Sequence, residues 1–137
     1  MAGQVQRRPS KALPSTEMVT VMALGAMMIR SKHSVRFKIL RHEIWNLFPG
    51  IESIFQSYGY ESVITCGTEA HKEDDPHTAG FAIDLRSKHL RPEHKRSILD
   101  ALKTFCGPLY YIFLENMNGP QEHYHIQVRR DIWPTLV

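Results

Sequence analysis

Cysteine is scarce in this chain. Only Cys66 and Cys106 occur. They lack the C-x-x-C spacing of a metal knuckle or redox motif, and one possible pair does not point to an oxidising compartment. Both read as small buried hydrophobes. Long apolar runs are also lacking: the most apolar stretch, Met18 to Met28, is too short to span a bilayer as a helix. Net charge is only +3. Residues 1–19 hold Arg7, Arg8 and Lys11 against Glu17, while the rest of the chain sets 14 basic side chains against 13 acidic ones. The body is therefore close to neutral, and a basic nucleic-acid-binding stripe is not supported. No internal repeat is visible.

What is present suits one domain. A chain of 137 residues, 42% apolar and 23% charged, can bury a single core without disulfides. Residues 1–16 are polar with Pro9 and Pro14 and are expected to be a disordered basic leader, with residues 17–137 forming the domain. The segment 18–28 after a basic leader also fits the h-region of a signal peptide. The two prolines, and the lack of a small-x-small cleavage site before Arg30, favour a flexible tail entering a packed segment.

Between Arg41 and Tyr58 the residues Ile44, Leu47, Phe48, Ile51, Ile54, Phe55 and Tyr58 recur at helical spacing. Pro49–Gly50 makes this either a kinked helix or two shorter ones. Strands are expected at Tyr60–Cys66, Gly80–Arg86, Leu109–Leu114 and Tyr124–Val128, with a helix opening near Pro92 and closing at Gly107–Pro108. Short links between adjacent strands predict an α+β fold: a small antiparallel sheet with helices on one face.

Eight histidines are many for this length, and several fall in two motifs. One is His77–Thr78–Ala79–Gly80–Phe81–Ala82–Ile83–Asp84; the other is Glu122–His123–Tyr124–His125. Strand alternation turns Asp84 away from Phe81, Ile83 and Leu85, and turns His123 and His125 away from Tyr124 and Ile126. In one sheet, Asp84 and His125 then share the polar face, with His77 entering from a loop. Two imidazoles and a carboxylate hold zinc with a fourth position open for water. The run His71, Glu73, Asp74, Asp75 reads as a solvated loop, and Trp133 as a packing residue.

The pattern H-x-x-G-x-A-x-D followed by E-x-x-H resembles the zinc D-Ala-D-Ala carboxypeptidases and L-alanyl-D-glutamate endopeptidases, whose fold the Hedgehog signalling domain shares. The resemblance covers roughly residues 35–128. It implies a zinc site on the free sheet face, with Zn2+ on His77, Asp84 and His125. It also implies Glu122 as catalytic base, His123 as oxyanion donor, and peptidoglycan stem peptides as substrate. A monomer without nucleic-acid partner or membrane span is expected, cytoplasmic before release to the cell wall, or secreted if residues 18–28 act as an h-region. Two positions depart from the family pattern. Asp75 stands where a serine is usual, and Glu69 stands where an arginine holds a substrate carboxylate, which favours an internal peptide cut, or no cut, over a terminal one. A catalytically inactive metal-bearing binding module on the same fold is the main alternative. A nucleic-acid-associated protein using the basic leader is the other.

Overall fold

The computed structural model describes residues 18–24, 27–68 and 75–133. The expected leader, Glu69, His71, Glu73 and Asp74 lie outside these residues. The strands are β1 (Met18–Leu24), β2 (Met27–Lys32), β3 (Val63–Cys66), β4 (Ala82–Arg86), β5 (Tyr110–Glu115) and β6 (His123–Val128). The helices are α1 (His42–Trp45), α2 (Phe48–Ser57) and α3 (Pro92–Cys106), followed by a 3-10 turn at Arg130–Ile132. All six strands form one sheet in the order β1-β2-β3-β4-β6-β5.

The fold is α+β as expected, but the sheet is mixed. β2 and β3 run parallel while every other neighbouring pair is antiparallel. The cause lies in Met18 to Met28, read from sequence as a flexible tail entering a packed segment, which instead contributes to β1 and β2, and these pair antiparallel. From β2 the chain crosses through α1 and α2 before reaching β3, and a helical crossover of that kind is what a parallel pair requires.

Local chemistry explains the helix boundaries. Pro49 occupies the first turn of α2, where its missing N–H costs no hydrogen bond. It therefore starts a helix rather than kinking one, and the apolar periodicity from 41 to 58 splits into α1 and α2. Pro92 opens α3 in the same way, and Gly107 closes it with φ +83 and its N–H on the Lys103 carbonyl.

One face of the sheet supplies Ile64, Ile83, Leu85, Tyr124 and Ile126 to the core, all fully buried. Phe48, Ile51 and Phe55 of α2 and Ile98 and Leu102 of α3 belong to the same cluster. The buried Glu52 carboxylate ties α2 to the entrance of β3 by accepting hydrogen bonds from Gln56 and from the Ser62 hydroxyl and N–H. Trp133 packs as expected, stacked on Phe81 with ring centroids 4.4 Å apart and its indole N–H donating to the Val128 carbonyl. No helix among the described residues is long and apolar enough to cross a membrane.

The loop ahead of β4 is fixed by backbone contact. Gly80 has φ +84, and a Cβ there would lie 2.3 Å from the Ile39 carbonyl oxygen. Its own carbonyl accepts from Arg41 N–H at 3.0 Å, while Arg41 Nε donates to the Ala79 carbonyl at 3.1 Å. Gly80→Ala combines a left-handed backbone with this overlap and is expected to cost about 2–3 kcal/mol. Urea unfolding checks this; a change under about 0.5 kcal/mol, the scale of an ordinary surface substitution, would contradict the described approach of the two segments.

Candidate metal centre

The sheet face opposite the helices carries the chemistry. Asp84 of β4 pairs in register with His125 of β6, and Arg86 pairs with His123. Across the next strand, Phe113 pairs with His125 and Glu115 with His123. On the other side of β4, an irregularity in the β3 pairing sets Cys66 opposite Asp84. Directly opposed residues have Cβ atoms about 4.5–5.5 Å apart, so this face gathers side chains from four strands.

His77 arrives from the loop before β4 on a turn of its own. The Asp75 carboxylate accepts from the His77 backbone N–H at 2.8 Å, and Gly80 N–H donates to the His77 carbonyl at 3.0 Å. Asp75, which departs from the family pattern, thus shapes the turn that presents the histidine. The His77 side chain is buried.

Asp84 is the hub. Its Oδ1 lies 3.2 Å from His77 Nε2 and 3.0 Å from His125 Nδ1, and its Oδ2 lies 3.5 Å from His123 Nε2. The His77 and His125 rings meet edge to face with centroids 5.2 Å apart. The structure therefore brings His77, Asp84 and His125 together, with His123 beside them. Two triplets of donor atoms lie mutually within 4.8 Å among the described residues: Cys66 with His77 and Asp84, and Asp84 with Glu115 and His123. Donors sharing one tetrahedral zinc at bonds of about 2.0–2.2 Å sit roughly 3.4 Å apart, so the Asp84 contacts are near coordination spacing.

The outer ring nitrogens give these contacts their meaning. His77 Nδ1 lies 3.0 Å from the Gly67 carbonyl, His125 Nε2 lies 2.9 Å from Gln127 Oε1, and His123 Nδ1 lies 2.7 Å from the Gln121 carbonyl. A carbonyl oxygen only accepts, so each outer nitrogen carries a proton. Each inner nitrogen then faces a carboxylate oxygen. Two acceptors cannot approach so closely unless a proton or a metal ion stands between them. Metal-ligating histidines are oriented in this manner, with the far N–H held by an oxygen. Cys66, His77 and Asp84 are accordingly positioned to hold a metal ion, with His125 on the same Asp84 oxygen as His77.

Electrostatics agree. Burial acts to raise the Asp84 pKa, but hydrogen bonds from His125 and His77, and the nearby imidazole charge, hold it well below the usual carboxylate range. Burial acts to lower the His125 pKa, but Asp84 and Gln127 outweigh it and raise the value above the ordinary 6.5.

Glu122 does not join the site. Counting along β6 puts it on the side of Tyr124 and Ile126, facing α3. Its Oε1 accepts from Ser87 Oγ at 2.6 Å and Lys95 Nζ at 2.7 Å, and its Oε2 accepts from Asn118 N–H at 2.9 Å. Its side chain is 1% exposed. Burial opposes ionisation there, but the Asn118, Lys95 and Ser87 hydrogen bonds overcome it and lower the pKa. The expected catalytic base is thus a buried anchor between α3 and the turn before β6. The turn at Asn116 and Asn118, both with positive φ, does not reverse strand parity.

Two residues at the centre went unread in the sequence. Glu115 lies 2.9 Å from His123 Nε2 and 3.9 Å from His125 Nδ1. Its signal was parity: Tyr111, Phe113 and Glu115 alternate with the inward Ile112 and Leu114, and hairpin pairing sets Glu115 opposite His123. Cys66, read as a buried hydrophobe, had no comparable signal, since its placement depends on the β3 irregularity.

The pH dependence has a definite sign. In the metal-free protein, protonated His125 paired with Asp84 contributes stability that is fully present below the ordinary imidazole value. That contribution is lost as pH rises through the raised folded value. Zinc requires deprotonated nitrogens, so the rise in Tm on adding zinc should grow as pH climbs through the His125 value, which lies above the ordinary 6.5. Calorimetry at fixed zinc checks this, and a pH-independent increment would contradict it. Glu122→Gln should lower stability by about 1.5–3 kcal/mol with zinc content unchanged. Loss of zinc at unchanged stability would return Glu122 to the site. No family model, curated protein or solved structure matches this chain.

Proposed function

We propose that this chain is a zinc-dependent hydrolase cutting peptide bonds in peptidoglycan stem peptides. The observation that carries the reaction class is the arrangement of His77 and His125 around Asp84, each with its outer N–H held by an oxygen and its inner nitrogen on the carboxylate. The substrate class comes from the resemblance in the two sequence motifs.

His77, Asp84 and His125 would hold the zinc. When bound, the ion supplies Lewis acidity, bringing a coordinated water to a pKa of about 7 and polarising the scissile carbonyl. The protein's own groups do the rest. Glu115 is half exposed and is held by His123 at 2.9 Å. It is placed to take a proton from the attacking water and return it to the leaving amine. His123 Nε2, between Glu115 and Asp84, would donate to charge developing on the carbonyl oxygen when it carries a proton in addition to the one on Nδ1. Tyr111 and Phe113 stand exposed on the same face, stacked with centroids 6.1 Å apart, and offer an apolar ledge beside His125.

A second reading, a metal-bearing binding module without turnover, is favoured by one observation: Glu122 is committed to Ser87, Lys95 and Asn118. Zinc-loaded protein incubated with purified peptidoglycan separates the two. The enzyme reading expects new peptide termini by mass spectrometry, a loss of about 100-fold or more in Glu115→Gln, and no detectable release in Asp84→Asn. Retained wall binding with no peptide release from the wild type would establish the binding module instead.

A further inference from the structure

The zinc reading uses one oxygen of Asp84. The other faces a second set of donors. Asp84 Oδ2 lies 3.5 Å from His123 Nε2, which in turn lies 2.9 Å from Glu115 Oε1. The donor atoms of Asp84, Glu115 and His123 are all within 4.8 Å of one another. Cys66 joins His77 and Asp84 in another triplet within the same distance, so the two triplets share Asp84.

His123 is held like the other two imidazoles. Its Nδ1 proton is donated to the Gln121 carbonyl at 2.7 Å, leaving Nε2 aimed at two carboxylates. A single zinc on His77, Asp84 and His125 leaves Asp84 Oδ2, Glu115 and His123 as a second group of donors outside its coordination. The ring is anchored from behind as a ligand is, and it sits between Asp84 and Glu115 without belonging to the first set.

We propose that Asp84 bridges two divalent cations. The first lies between His77 and His125, with Cys66 as an additional soft donor. The second is held by Asp84 Oδ2, Glu115 Oε1 and His123 Nε2. The inference rests on the metal reading of His77, Asp84 and His125 and extends it. Two-metal hydrolytic sites place their ions about 3.5–4 Å apart, a span one carboxylate covers with an oxygen toward each. The donor sets differ in character. The first is rich in nitrogen with sulfur near, suiting zinc; the second has two carboxylate oxygens and one nitrogen, and accepts zinc or manganese. In the two-ion state Glu115 and His123 hold a cation instead of moving a proton, and the site belongs to a class that clamps both the attacking and the leaving atom.

The test is zinc stoichiometry of the full chain by equilibrium dialysis and elemental analysis, alongside Glu115→Ala, His123→Ala and His77→Ala. Wild type should saturate at two zinc ions per chain. Glu115→Ala and His123→Ala should each saturate at one, the second affinity falling at least about 100-fold, with circular dichroism unchanged in Glu115→Ala because Glu115 is half exposed. His77→Ala should weaken the other ion. Saturation of wild type at one zinc, or two ions retained in Glu115→Ala, would overturn the bridging assignment while leaving the single-zinc hydrolase intact. Binding of no zinc would remove both.

Discussion

A single carboxylate organises this molecule's chemistry. Asp84 is mostly shielded from water and meets three imidazoles, two on one oxygen and one on the other. A negative charge so placed is tolerable only when cations surround it. Burial raises its cost, and the ring nitrogens overcome that cost by more than it amounts to. Everything else about the site is arranged to deliver those nitrogens: the register of β4 on β6, the Asp75 turn that presents His77, and the oxygens that anchor each ring from behind.

Strand parity then decides which acidic group belongs to the site. Glu122 and Glu115 flank the same turn, and a motif read along the chain favours Glu122 because it lies three residues before His125. Alternation sends Glu122 toward α3 and Glu115 toward His123. The outcome gives each acid a different task. One is enclosed with Lys95 and Ser87 and holds the turn to the helix; the other stays open to solvent beside the cluster.

Much of this was legible in the sequence, for identifiable reasons. The helix from Pro92 and the strands around Asp84 and His125 announce themselves through apolar spacing, and the same alternation puts Asp84 and His125 on one face. The β1–β2 hairpin was not legible: residues 18–32 carry a nearly continuous apolar run whose period does not separate strand from buried segment. Without that hairpin, the parallel pairing of β2 with β3 had no basis. Cys66 was equally silent, because its position depends on a pairing irregularity that composition does not encode. Gly80 stands out in the motif, but its physical role, letting two backbones touch, depends on a contact with Ile39 that the motif does not show.

The donors also lie far apart along the chain. Between Asp84 and His125 run α3, β5 and two turns, and Cys66 and His77 lie 11 residues apart. Chelation of a metal ion there would clasp separate segments into one closed ring. Any ion that binds the folded chain but not the unfolded one favours the folded state by about 4 kcal/mol at a free concentration a thousand times its Kd. Protease resistance and susceptibility to chelators should thus rise and fall together, whether or not any bond is being cut.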